Sequence, residues 1–172
     1  MFKTEYSFLI HPSELERGET KFDLNAESNE RSALAGRFGL QAIDLFKLSI
    51  TVKHIKNKNA VQVNGTLYAK IIQNCVVSLV PIENTIDEEF KTIFYDENQL
   101  VSEELFDEEQ FETYKNDTID LGEFGAQELA LAANPYPRAE GIADETIGPY
   151  LPTKNKMKTK PFAALADIKQ KK

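Results

Sequence analysis

Apolar and polar positions alternate from residue 43 to residue 56. Phe46, Leu48, Ile50 and Val52 fall on one parity, and Leu45, Lys47, Ser49, Thr51 and Lys53, largely polar, on the other. Successive side chains of a strand point to opposite faces, so a period of two predicts a half-buried β-strand. Lys56-Asn57-Lys58-Asn59 is a polar turn, and the pattern returns over residues 60–73 with Val61, Val63, Leu67, Ala69 and Ile71 mostly in step. Asn64-Gly65 interrupts that return and predicts a bulge or a tight turn. Val76 to Ile82 is strongly β-prone, and Thr85 to Tyr95 carries Ile86, Phe90, Ile93 and Phe94 in a less regular pattern. Residues 5–10 predict a first strand, closed by the turn signal His11-Pro12-Ser13. The economical arrangement is a meander of three or four antiparallel strands.

The period changes at two places. Ser28-Asn29-Glu30-Arg31 leads into a run of small and apolar residues that ends near Gly36 or Gly39, predicting a helix over 28–37. Residues 122–134 predict a second helix, with Phe124, Leu129 and Leu131 among small residues and Asn134-Pro135 as its stop. The fold class is therefore α+β: an antiparallel β-meander or partly closed β-barrel over residues 43–95, with a few short helices packed on it. Residues 1–134 form the body. Residues 135–172 begin as a linker punctuated by Pro135, Pro137, Gly141, Gly148, Pro149 and Pro152 and end in a basic tail. Within the tail, Pro161 to Ile168 predicts a short helix with Phe162, Leu165 and Ile168 on one face.

Charge divides the chain. It holds 20 basic and 28 acidic residues, and residues 1–153 account for 13 and 27 of them. Residues 154–172 carry seven lysines and one acid, Asp167. The acids concentrate in residues 83–128, with 16 of them against Lys91 and Lys115, and are densest from Glu103 to Glu112. That densest stretch predicts an amphipathic helix or a mobile acidic loop. An acidic body with a basic, partly apolar tail points to a protein that docks onto something rather than to a small-molecule enzyme. A net charge of −8 argues against indiscriminate nucleic-acid binding, so an RNA contact would be local.

Candidate chemistry is sparse. There is no phosphate-cradling glycine loop and no nucleophile elbow. Cys75 is the only cysteine, and His11 and His54 are 43 residues apart. Neither a Cys–His dyad nor a zinc site has its spacing, and Cys75 is read as a packing residue in a strand. No metal and no cofactor is expected. The chain contains no run of eighteen apolar residues, and its start lacks the basic and apolar regions of a signal peptide, so a cytoplasmic protein is expected.

Four blocks in order carry a resemblance. They are Gln73 to Ile82 after Val63-Asn64-Gly65; Ile119-Asp120-Leu121-Gly122-Glu123; Glu128 to Arg138, which includes Asn134-Pro135-Tyr136-Pro137; and Lys160-Pro161-Phe162-Ala163-Ala164-Leu165. From about residue 45 to the C-terminus the chain resembles the bacterial YceD family, the large ribosomal RNA subunit accumulation proteins. The resemblance implies a role in 23S ribosomal RNA accumulation or maturation, hence in large-subunit assembly, and implies no biochemical activity. Cys75, Asp120, Glu128, Pro135, Pro137 and Arg138 are motif positions without an assigned role. Some branches of the family carry Cys-x-x-Cys where this chain has Cys75-Val76-Val77-Ser78, so a paired-thiol metal or redox site does not transfer.

Two kinds of action fit these features. One is a non-enzymatic factor that meets large-subunit ribosomal RNA or a pre-ribosomal particle through the tail, with Lys154, Lys156, Lys158, Lys160, Lys169, Lys171 and Lys172 for charge and Phe162 and Leu165 for docking. The other is an acidic chaperone for a basic ribosomal protein. A metal-dependent nuclease using the carboxylates is a third and weaker reading. No membrane partner or small-molecule substrate is expected.

Overall fold

The computed structural model describes residues 4–15, 18–55, 60–99 and 111–141. The chain divides into two compact units, residues 1–139 and 140–172. Only Glu140 and Gly141 of the second are among the described residues, so the elements below belong to the first.

The elements run in the order β1 (Leu9–Ile10), β2 (Glu19–Asn25), α1 (Ser28–Phe38), β3 (Ala42–His54), β4 (Ala60–Asn74), β5 (Pro81–Asp96), β6 (Phe111–Tyr114), β7 (Ile119–Asp120) and α2 (Leu121–Ala132). Strands β2-β3-β4-β5-β6 form one open sheet in that order, and β1 pairs with β7 in a separate two-stranded ribbon. The long meander β3-β4-β5 follows the alternation in the sequence. Phe46, Leu48, Ile50 and Val52 are buried, as are Val61, Val63, Leu67, Ala69 and Ile71 across the ladder. Both helices cover that buried face. Leu34 and Ala35 of α1 and Leu121, Phe124, Ala126 and Leu129 of α2 join the same apolar cluster.

The helix boundaries have local causes. At the start of α1 the Glu30 carboxylate accepts the Glu27 N–H at 2.6 Å. At its end Gly39 adopts φ 66°, a left-handed cap that lets the chain turn into β3. Arg31 ties the helix to the sheet by donating to the carbonyls of Ala26 at 2.6 Å and Ile43 at 3.2 Å. Arg37 joins the two helices through a bidentate pair with Glu123 at 2.6 and 2.8 Å, and also reaches Glu5 at 3.0 Å. That pairing holds the Glu123 carboxyl below the usual range. α2 sits so close to β3 that a side chain at Gly125 would strike Leu48 Cδ1.

Several expectations are corrected. Asn64-Gly65 is neither a bulge nor a turn: β4 runs unbroken, with Gly65 opposite Ile50 and Phe90. The glycine is required because the Phe90 ring crosses it, where a Cβ would meet Cζ at 2.5 Å. The first strand shrinks from residues 5–10 to Leu9–Ile10. β2 (Glu19–Asn25) extends the sheet before residue 43; the only large apolar residues in its alternation are Phe22 and Leu24. The sheet is not wholly antiparallel either, because β6 runs parallel to β5, with Ile93 opposite Phe111 and Asp96 opposite Tyr114. Finally, Val76 to Val80 is not strand; those residues form the turn between β4 and β5. The core of the acidic run, residues 100–110, lies outside the described residues.

Candidate interaction site

The β4–β5 turn is built on Cys75, one residue past the end of β4 and not within a strand as the sequence suggested. Its N–H donates to Val80 O at 2.8 Å and its carbonyl accepts from Leu79 N at 2.9 Å. Two backbone bonds close a tight loop around four residues, which leaves their side chains little to pack against. Val76, Val77, Leu79 and Val80 are all exposed, Leu79 at 73%. Leu79 also has φ 61°, a left-handed conformation that costs a leucine about 1 kcal/mol.

Residues 134–139, after α2, support this turn from below. Gln73 Nε2 donates to Asn134 O at 2.9 Å, and Val76 N donates to Pro137 O at 2.9 Å. Cys75 Sγ accepts the N–H groups of Ser78 and Ala139, each at 3.4 Å. Two motif blocks separated by some sixty residues thus meet through one backbone–backbone bond and two bonds between side chain and backbone. Pro137 is buried in the contact, whereas Pro135, Tyr136 and Arg138 face outward. Beside it lies a cavity of about 350 Å³ lined by Phe38, Leu40, Val76, Ala130, Ala133 and Pro137. The arrangement is a hydrogen-bonded base carrying an exposed apolar rim.

The thiol at the centre is fully buried. Hydrogen bonds from the Ser78 hydroxyl and then the Ser78 and Ala139 amides pull it down to about 6, against the upward push of burial. An unfolded cysteine titrates near ~8.5, so between about pH 6 and 8.5 the unfolded chain binds more protons at this site. Stability should therefore rise with pH across that window and fall as pH drops through 6. The urea midpoint of the wild type, minus that of Cys75→Ala, should increase between pH 6 and pH 8.5; a flat difference would refute the thiolate.

Neither histidine stands near this cysteine. His54 pairs opposite Val61 at the far end of β4, roughly 45 Å of strand away. Its Nε2 bonds to Pro12 O at 2.8 Å, and His11 Nδ1 bonds to Asp117 O at 2.8 Å. Both rings tie down the segment between β1 and β2. Among the described residues no group of three or more His, Cys, Asp or Glu is placed to hold a metal ion. No described helix is long and apolar enough to cross a membrane.

The other motif positions lie apart from the rim. Asp120 caps α2: its Oδ1 accepts from Gly122 N at 3.1 Å and Glu123 N at 3.0 Å. Glu128 is half-buried further along that helix, facing the sheet edge with Glu112. The tail positions Lys154, Lys156, Lys158, Lys160, Phe162, Leu165, Lys169, Lys171 and Lys172 lie outside the described residues. The sequence does not reveal the rim, because a run rich in valine and leucine is β-prone by propensity. Asn74 and Pro81, which bracket a run that does not alternate, were the available signal.

The chain is thus an open α+β sheet whose β4–β5 turn presents exposed apolar side chains. A family model described as large ribosomal RNA subunit accumulation protein YceD matches residues 63–169. That is more than half of the chain, and the chain belongs to this family. Comparison with curated proteins and with solved structures gives no match.

Proposed function

We propose that this protein is a non-enzymatic factor for 23S ribosomal RNA accumulation and large-subunit assembly, and that it docks on pre-ribosomal particles through the Cys75 turn. The observation that carries this reading is Leu79. A leucine held in a left-handed conformation with 73% of its surface exposed serves neither backbone stability nor the core. Strain retained at an exposed apolar position marks a place where a partner is met. The family's role in ribosomal RNA accumulation supplies the setting. Val76, Val77 and Val80 surround Leu79 and suit the apolar centre of a protein contact. The seven lysines of residues 154–172 add a charge that suits RNA at the same particle.

The test is affinity capture from cell extract with and without ribonuclease, together with measurement of 23S ribosomal RNA in cells depleted of the protein. Large-subunit proteins should be captured, a subset should survive ribonuclease, and depletion should reduce mature 23S ribosomal RNA. Capture without any large-subunit component, or unchanged 23S ribosomal RNA on depletion, would overturn the reading.

A further inference from the structure

A second cavity, of about 480 Å³, opens between α2 and the β5–β6 edge of the sheet. Phe90, Phe111, Phe124 and Leu131 supply its apolar surface, and Glu112 and Glu128 stand on its wall. Phe90 and Phe124 meet edge to face with ring centroids 5.5 Å apart, so the aromatic floor is braced from inside. Leu131 is 80% exposed, although it sits on a helix that otherwise buries its large apolar residues. The charge is one-sided: Glu89, Glu112 and Glu128 line the cavity against Lys91 alone. Burial, and then the Glu112 charge, hold the Glu128 carboxyl above the usual range. Among the described residues neither Glu112 nor Glu128 has a cationic partner.

We propose that this cavity receives an arginine or lysine side chain, flanked by apolar residues, from a basic segment of a protein partner. A guanidinium entering here would stand between the two carboxylates, donate charge-assisted hydrogen bonds to both, and lie against aromatic rings. The neighbouring leucine would take the apolar flank. The same carboxylates repel phosphate, which favours protein over RNA at this site. The wider segment, residues 83–128, carries 16 acids and two lysines and would speed the encounter with a basic chain. The inference rests on the assembly reading only for the source of that chain, a basic large-subunit ribosomal protein.

The chain contains no tryptophan, so a peptide with one tryptophan reports its own binding by fluorescence without background. The probes are a short peptide of alternating leucine and arginine with one tryptophan, and its counterpart with glutamine for arginine. Wild-type protein should bind the arginine peptide about tenfold more tightly than the glutamine peptide. Glu112→Gln combined with Glu128→Gln should bring the two affinities together, and Leu131→Ser should weaken both. Equal binding of the two peptides by the wild type, or an unchanged preference in the double variant, would overturn the proposal. Should the double variant fail to fold, the ring signals of Phe111 and Phe124 decide: they should shift when the arginine peptide is added to wild-type protein, and no shift refutes the site. Displacement of the peptide by an oligouridine would also refute it. In cells, unchanged 23S ribosomal RNA on depletion removes the assembly reading without touching the peptide result, and a silent cavity removes this proposal alone.

Discussion

Replacing Asp120 by alanine should lower the stability of the chain by about 2–3 kcal/mol, because one side chain satisfies four donors. Oδ1 accepts from Gly122 N and Glu123 N at the start of α2 and from Phe8 N at 2.9 Å, while Oδ2 accepts the Ser7 hydroxyl at 2.7 Å. The carboxylate therefore caps a helix and staples residues 7 and 8 to it. Leu121 N, donating to Phe8 O at 2.9 Å, and the pairing of Leu9 with Asp120 continue that junction. The contact is close: a Cβ at Gly122 would lie 2.7 Å from Phe8 N. Alanine leaves the helix N–H groups and the Phe8 amide without their acceptor. For a chain of this size the thermal midpoint should fall by about 5–10 °C. Asp120→Asn keeps an acceptor oxygen for the three amides, and the Ser7 hydroxyl can turn to accept, so about half of the loss or less is expected. Thermal unfolding of both variants checks this. Equal loss in the two would show that the negative charge, and not the hydrogen-bond geometry, is what the junction needs.

Leu79→Asn should move stability the other way, by about 1 kcal/mol upward, while reducing co-sedimentation with pre-ribosomal particles about tenfold. Asparagine tolerates the left-handed region, so the φ of 61° no longer carries the cost a leucine pays there. The two backbone bonds of Cys75 to Val80 and Leu79 do not involve the replaced side chain, and the turn should persist. What is lost is the most exposed apolar group of the rim, whose burial against a partner is worth about 1.5–3 kcal/mol. Opposite signs in stability and binding are what a docking residue predicts. If the variant is more stable and sediments with particles as before, the rim is not the contact surface. If it is less stable, the leucine has an internal packing role despite its exposure.

The strands that were legible in advance share one property. In β3 and β4 the buried residues repeat with period two over long stretches, and local alternation alone assigns Phe46, Leu48, Ile50 and Val52 to the core. The helices were legible for a related reason, since their ends are marked by Gly39 and by the Asn134-Pro135 stop. Composition could not place Val76 to Val80. A valine-rich run reads as strand by propensity, but its backbone bonds close on Cys75 and on Pro137, and that long-range partner is invisible locally. The same holds for Gly65, which looked like a break and is instead the space that the Phe90 ring needs. β6 is another case, because the orientation of a four-residue strand depends on its partner and not on its own pattern.

The sequence by itself therefore determined the α+β class, the meander, both helices and the separation of acidic body from basic tail, all of which follow from period, breakers and charge. It also carried the family, through blocks that keep their order. Only the tertiary structure decided what the motif positions do. Asp120 became a cap and staple, Cys75 the buried acceptor under a turn, and Pro137 the support of that turn. It also turned a β-prone run into an exposed turn and set Glu112 and Glu128 on the wall of one aromatic-lined cavity. The physical reason is the same in each case: hydrogen-bond closure and burial are properties of residue pairs far apart in the chain, and a local pattern records only one member of each pair.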